Sequence, residues 1–128
     1  MRFKQTLKKL RDDYVIGQVQ RLTLPAFPEE PPRRYRIRFS GRVQKVGFRL
    51  EICELAQRLG LTGFCQNLEN GDVLAELQGG ETRIFFLLSF MESLKRIKIR
   101  EKVVTPMDFH PGETGFARRR PSFPQRIC

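Results

Sequence analysis

From Arg34 onward the apolar side chains change period in a fixed order, and that order leaves the chain few folds to choose from. In RYRIRF, residues 34–39, Tyr35, Ile37 and Phe39 alternate with arginines, the period of a strand with one buried face. Ile52, Cys53, Leu55, Ala56 and Leu59 then fall on one side of a helix, which Gly60 can end in the left-handed conformation. The segment LTGFCQNLENGDVLAELQG reads as two strands joined near Asn70-Gly71, a dipeptide suited to the positive φ angles of a tight hairpin. Val73, Ala75 and Leu77 form the inward side of the second of these strands. A second helix follows, because Ile84, Leu87, Leu88, Met91 and Leu94 recur at helical spacing, with Phe85, Phe86 and Phe90 widening its apolar face. Ile97, Ile99 and Val103 mark a further strand, and a short last strand fits around Gly115 to Arg118.

The order strand, helix, strand, strand, helix, strand defines an α+β, ferredoxin-like βαββαβ sandwich, an antiparallel sheet with two helices on one face. A chain of 128 residues suits one such core. The first third is set apart by PAFPEEPPRR, residues 25–34, whose four prolines deny the backbone the donors a helix needs. The expected organisation is therefore a basic extension with a Pro-rich linker over residues 1–33, a folded domain over 34–120 and a basic tail over 121–128. Phe3, Leu7, Leu10 and Tyr14 recur at helical spacing in the extension and predict a short basic amphipathic helix. Such a helix either docks on the domain, meets a partner or stays loosely ordered.

The net charge of +10 raises the question of nucleic acid, so its location matters. Residues 34–117 hold thirteen Lys and Arg against ten Asp and Glu, whereas residues 118–128 hold four against none. Most of the excess belongs to the two ends, where basic runs serve as solvated segments or as arms for phosphate-rich partners. No apolar run approaches the roughly 20 residues of a membrane span, and MRFKQTLKKLRDD lacks the features of a secretory signal. A cytoplasmic protein that does not enter a membrane is expected. Cys53, Cys65 and Cys128 contain no CxxC pair, and His110 is the one histidine, which argues against zinc and for reduced thiols. Cys53 and Cys65 read as small apolar core residues.

The stretch GRVQKVGFR, Gly41 to Arg49, connects the first strand to the first helix. It is either a surface turn or a cradle for a small anion. Successive amides in such a turn can form a nest, and the open amides of a helix start add partial positive charge. Gly41 and Gly47 permit conformations barred to other residues, and Arg49 offers a planar fork matched to phosphate oxygens.

Taken together, GRVQKVGFR and the following LGLTGFCQNLENGDV resemble the acylphosphatase family, whose signature reads G-x-V-Q-G-V-G/F-F-R and then G-L-x-G-W/F-V-x-N with a hairpin turn. The resemblance covers residues 34 to about 118. It implies hydrolysis of the carboxyl-phosphate anhydride of small acyl phosphates to carboxylate and inorganic phosphate, by a monomer that needs no metal or cofactor. By that similarity Arg49 binds the phosphoryl group, the amides of Gly41, Arg42, Val43, Gln44, Lys45, Val46, Gly47 and Phe48 surround it, and Asn67 orients the attacking water. Inorganic phosphate or another small anion should occupy the same loop. Arg42 and Gln44 are expected as exposed side chains whose amides matter more than their identities. On residues alone, Asn67 also reads as a strand-end residue bonding its own turn.

Lys45 departs from the pattern, since the family has glycine there. In a left-handed conformation a side chain costs on the order of 1 kcal/mol. Either the loop deforms, or the ammonium adds attraction for phosphate. A catalytically silent relative that binds an anion or a protein partner is the alternative reading. Phe64 in place of the usual Trp is a milder change. RNA binding shares the βαββαβ order, but the strand DVLAEL has no aromatic side chain to stack on bases, which argues against nucleic acid.

Overall fold

Strand β1 (Arg33–Arg42) forms from the arginine-alternating segment and is an interior strand of the sheet, paired on both sides. A computed structural model describes residues 2–119, with side chains from Lys4 onward; the proposed tail 121–128 and Cys128 lie outside them. β1 pairs antiparallel with β3 (Val73–Gly79), Ile37 opposite Ala75, and with β4 (Lys98–Met107), Ile37 opposite Val104. β2 (Thr62–Asn67) extends the sheet beyond β3, and β5 (Phe116–Arg119) completes the order β4-β1-β3-β2-β5. The expected antiparallel core is present, but β5 runs parallel to β2, with Gly63 opposite Phe116, so the full sheet is mixed. The cause is the short connection after β4. It carries the chain across one end of the sheet, and a strand re-entering from that end must run against β4 and hence along β2.

Helices α2 (Phe48–Arg58) and α3 (Glu81–Ser93) supply the rest of the core. Ile52, Leu55 and Ala56 from α2 and Ile84, Leu87 and Met91 from α3 cluster with Ile37, Phe39, Val73, Ala75 and Leu77 of the sheet, all fully buried. These apolar periodicities point inward as the sequence places them, whereas Phe85 of α3 and Val103 of β4 are exposed. Cys53 and Cys65 are free and buried, as small apolar residues would be.

The β2–β3 connection is looser than a two-residue hairpin. Asn67 faces Val73 across the ladder, Leu68 N–H donates to the Asp72 carbonyl at 2.8 Å, and Gly71 has φ 98. Asn70 keeps negative φ and acts through its side chain, accepting from Asp72 N–H at 3.0 Å.

The N-terminal segment differs from expectation in length and phase. It forms α1 (Arg2–Arg21), a 20-residue helix. Leu7, Leu10 and Tyr14 are exposed, while Val15 and Val19 on another face are fully buried. Arg58 of α2 donates to the Val19 carbonyl at 2.7 Å, placing a cation at the C-terminal end of α1 where the orphan carbonyls favour it. Nor is the proline-rich stretch a free linker. Phe27 stacks edge-on against Phe86 at 5.4 Å, and Glu30 accepts from the amide and hydroxyl of Thr82 at 2.9 and 2.8 Å. Gly80, the cap residue of α3, has no side chain to do this, so the extended segment caps α3 in its place.

Opposite the helices, Arg34 is buried between Glu76 and Glu113, each at 2.8 Å. Among the described residues no helix is long and apolar enough to cross a membrane.

Candidate anion-binding site

The loop begins with a backbone irregularity. β1 and β4 slip register between Ser40 and Gly41, and Gly41 sits at φ 125 with its α-carbon against the Lys98 carbonyl. A β-carbon would collide with that backbone oxygen, so glycine is required for the strand to turn away here. Val43 is buried and anchors the descending chain, while Arg42 and Lys45 are exposed.

Gln44 corrects an expectation. Its side chain is half-buried, and its amide nitrogen donates to the carbonyls of Leu68 and Asp72 at 2.9 and 2.8 Å. That fastens the loop to the β2–β3 turn, directly after Asn67.

Lys45 and Gly47 both lie in the left-handed region, with φ of 65 and 79. The conformation for which glycine is suited is thus kept by a lysine, the one described residue other than glycine with positive φ. Two arginines from elsewhere hold the peptide planes between these residues. Arg11 of α1 donates to the Lys45 carbonyl at 3.1 Å, and Arg96 donates to the Val46 carbonyl at 2.8 Å. In a trans peptide N–H and C=O point in opposite directions, so the amides of Val46 and Gly47 face away from those two side chains. Arg96 is itself fixed by an ion pair with Glu51, which is fully buried. Burial pushes the Glu51 carboxyl above its ordinary range, and the hydrogen bond from Arg96 opposes that rise without cancelling it. Sequence reading missed Arg11, Arg96 and Glu51. Glu51 left a usable signal, since it interrupts the apolar run Phe48, Leu50, Ile52, Cys53.

α2 then starts at Phe48, whose ring packs on Phe39 at 4.9 Å. Gly47 caps this helix without a side chain, so the first-turn amides receive no side-chain cap. Arg49 stands at the second helical position and donates to the Arg119 carbonyl at 3.3 Å, pairing with no carboxylate among the described residues. Asn67, the last residue of β2, has its side-chain oxygen buried and without a hydrogen-bond partner among the described residues.

Arg49 and Asn67 line one cavity of about 310 Å³, together with Gly47 and Lys45 of the loop and with Lys8 and Arg11 of α1. Arg118 of β5 also reaches it, and no Asp or Glu does. Such a space, walled by cations and an open helix start, can hold a compact polyanion. Cys65 lies below and donates weakly to the Arg49 carbonyl at 3.7 Å. Burial, with a smaller push from Cys53, raises its thiol to about 12 despite the nearby arginines, so it stays protonated and is no nucleophile.

A ferredoxin-like sandwich whose first sheet strand runs into the next helix through a cationic loop defines a class of small α+β proteins. Within it, the family model described as Acylphosphatase matches residues 35–117, and the chain belongs to that family. Acylphosphatase 2 from Ralstonia nicotianae is 33% identical over 87 residues, covering 67% of this chain and 92% of that protein. An acylphosphatase from Clostridium beijerinckii is 48% identical over 63 residues, 49% of this chain and 67% of its own length. For the Synechococcus acylphosphatase the match spans 46% of its length, about half of that relative. Among solved structures, acylphosphatase from Bacillus subtilis superposes with a TM-score of 0.64 at 27% identity, over 68% of this chain and 98% of that one. α1, with Lys8 and Arg11, lies outside the matched segment.

Proposed function

We propose that the chain hydrolyses the carboxyl-phosphate bond of small acyl phosphates. The observation that supports this best is the cavity that Arg49 and Asn67 line together; the Asn67 side-chain oxygen has no hydrogen-bond partner among the described residues. In this reading the phosphoryl oxygens lie against the Arg49 guanidinium and the amides of the Lys45–Phe48 turn. Asn67 accepts a hydrogen bond from a water and holds it opposite the carboxylate leaving group. The water oxygen bonds to phosphorus as the phosphorus–oxygen bond to the acyl group breaks. The carboxylate departs with the bonding pair and the water proton passes to phosphate or solvent. A carboxylate leaves readily, so positioning and charge stabilisation suffice without a covalent nucleophile.

The strained Lys45 favours a second reading, a silent relative that binds an anion through the same loop. A continuous benzoyl phosphate assay separates the two. Turnover that falls by roughly two to three orders of magnitude in both Arg49→Ala and Asn67→Ala is the expected result. Wild-type turnover no faster than buffer, with inorganic phosphate still bound, would leave only the silent reading.

A further inference from the structure

We propose that Arg11 of α1 is a positioning residue that keeps the loop in its anion-binding shape despite Lys45; the inference rests on reading that loop as the phosphate cradle. Lys45 holds φ 65, a conformation that a β-carbon disfavours. Relaxation of Lys45 toward negative φ would swing its carbonyl away from where it now accepts from Arg11 Nη1 at 3.1 Å. The hydrogen bond therefore opposes relaxation, and a bond from a charged donor is of the size that offsets one left-handed residue. Arg11 is prepared for this task. Its Nε and Nη2 donate to Asp12 at 3.2 and 2.9 Å, which leaves Nη1 for the loop. The same guanidinium lies against Gly47, whose β-carbon, if present, would stand 3.3 Å from Arg11 Nε. The helix behind it is held by buried Val15 and Val19 and by Arg58 at its C-terminal end. An element outside the family segment thus grips the one loop residue that departs from the family pattern.

A cycle of four proteins tests this: the full chain, Arg11→Met, Lys45→Gly, and the two together. Steady-state benzoyl phosphate kinetics and the inhibition constant for inorganic phosphate are measured on each. Arg11→Met should lower kcat/KM at least about tenfold and weaken phosphate inhibition when Lys45 is present, and each loss should be at least about threefold smaller when position 45 is glycine, what remains being the cation removed from the cavity wall. Arg11→Lys, which keeps one donor, should recover part of the loss. Equal losses in both backgrounds would mean that Arg11 acts on the ligand or on folding generally, and would overturn the inference. Full activity in Arg11→Met would do the same. Should the unaltered chain show no turnover, the catalytic reading fails separately, and phosphate affinity by titration calorimetry on the same four proteins still decides the role of Arg11.

Discussion

Arg96 donates to the Val46 carbonyl from one nitrogen and to the buried Glu51 carboxylate from another, so a single guanidinium joins the loop to the first turn of α2. Arg96→Met would strand a fully buried carboxylate and release a peptide plane of the loop. A loss of about 3 kcal/mol in stability is expected, since removing one partner of a buried pair leaves an uncompensated charge. The urea midpoint measures it, and Glu51→Gln in the same background should restore part of the loss.

Gln44 binds the loop to the turn that follows Asn67. Both of its acceptors keep a backbone bond as well, Leu68 from Gly71 and Asp72 from Leu68. Gln44→Ala should therefore cost only about 1 kcal/mol of stability. Turnover should suffer more, by roughly tenfold in kcat/KM, because a misplaced positioning group is felt steeply. Equal small effects on both would show that the tether does not govern the site.

Gly41→Ala meets the Lys98 carbonyl at φ 125. The substitution should destabilise the protein by about 3 kcal/mol or more, or prevent folding, since the β4 backbone at Lys98 and Arg100 blocks the new carbon. Gly71→Ala is the control: its φ of 98 is also positive, yet no atom lies within 4 Å of the added carbon, and it should cost visibly less in a thermal melt.

Acid stability should follow the carboxylates around Arg34. Burial alone would raise Glu76, but hydrogen bonds from Arg36 and Arg34 outweigh it and hold the carboxyl below its ordinary value; Glu113 is lowered in the same manner. A carboxyl lowered in the folded state stabilises fully above its unfolded value near 4.5 and loses that contribution as pH falls through the folded value. Urea midpoints should therefore drop as pH falls below about 4.5. Glu76→Gln should lower stability at neutral pH and flatten that drop, whereas an unchanged slope would assign the acid response elsewhere.

The sheet, α2 and α3 were legible because their apolar residues follow one period each and lie close in sequence, as Ile52 to Leu59 and Ile84 to Leu94 do. α1 misled for a physical reason. Leu7, Leu10 and Tyr14 make a tidy stripe, yet packing chose Val15 and Val19, shorter branched residues that let the helix lie close to α2. That Gly47, Arg49 and Asn67 meet at one cavity was legible through the paired motifs. Arg11 and Arg96 were not, because each acts through a main-chain carbonyl 34 or 50 residues away, and such bonds leave no local pattern. Gln44 failed similarly, its role set by where the hairpin turn ends.

Lys8 and Arg11 reach the cavity from a helix that lies outside the matched segment, so its walls have two separate origins along the chain. Substitutions in one turn of that helix can therefore change the charge around the cavity while Arg49 and Asn67 keep their places.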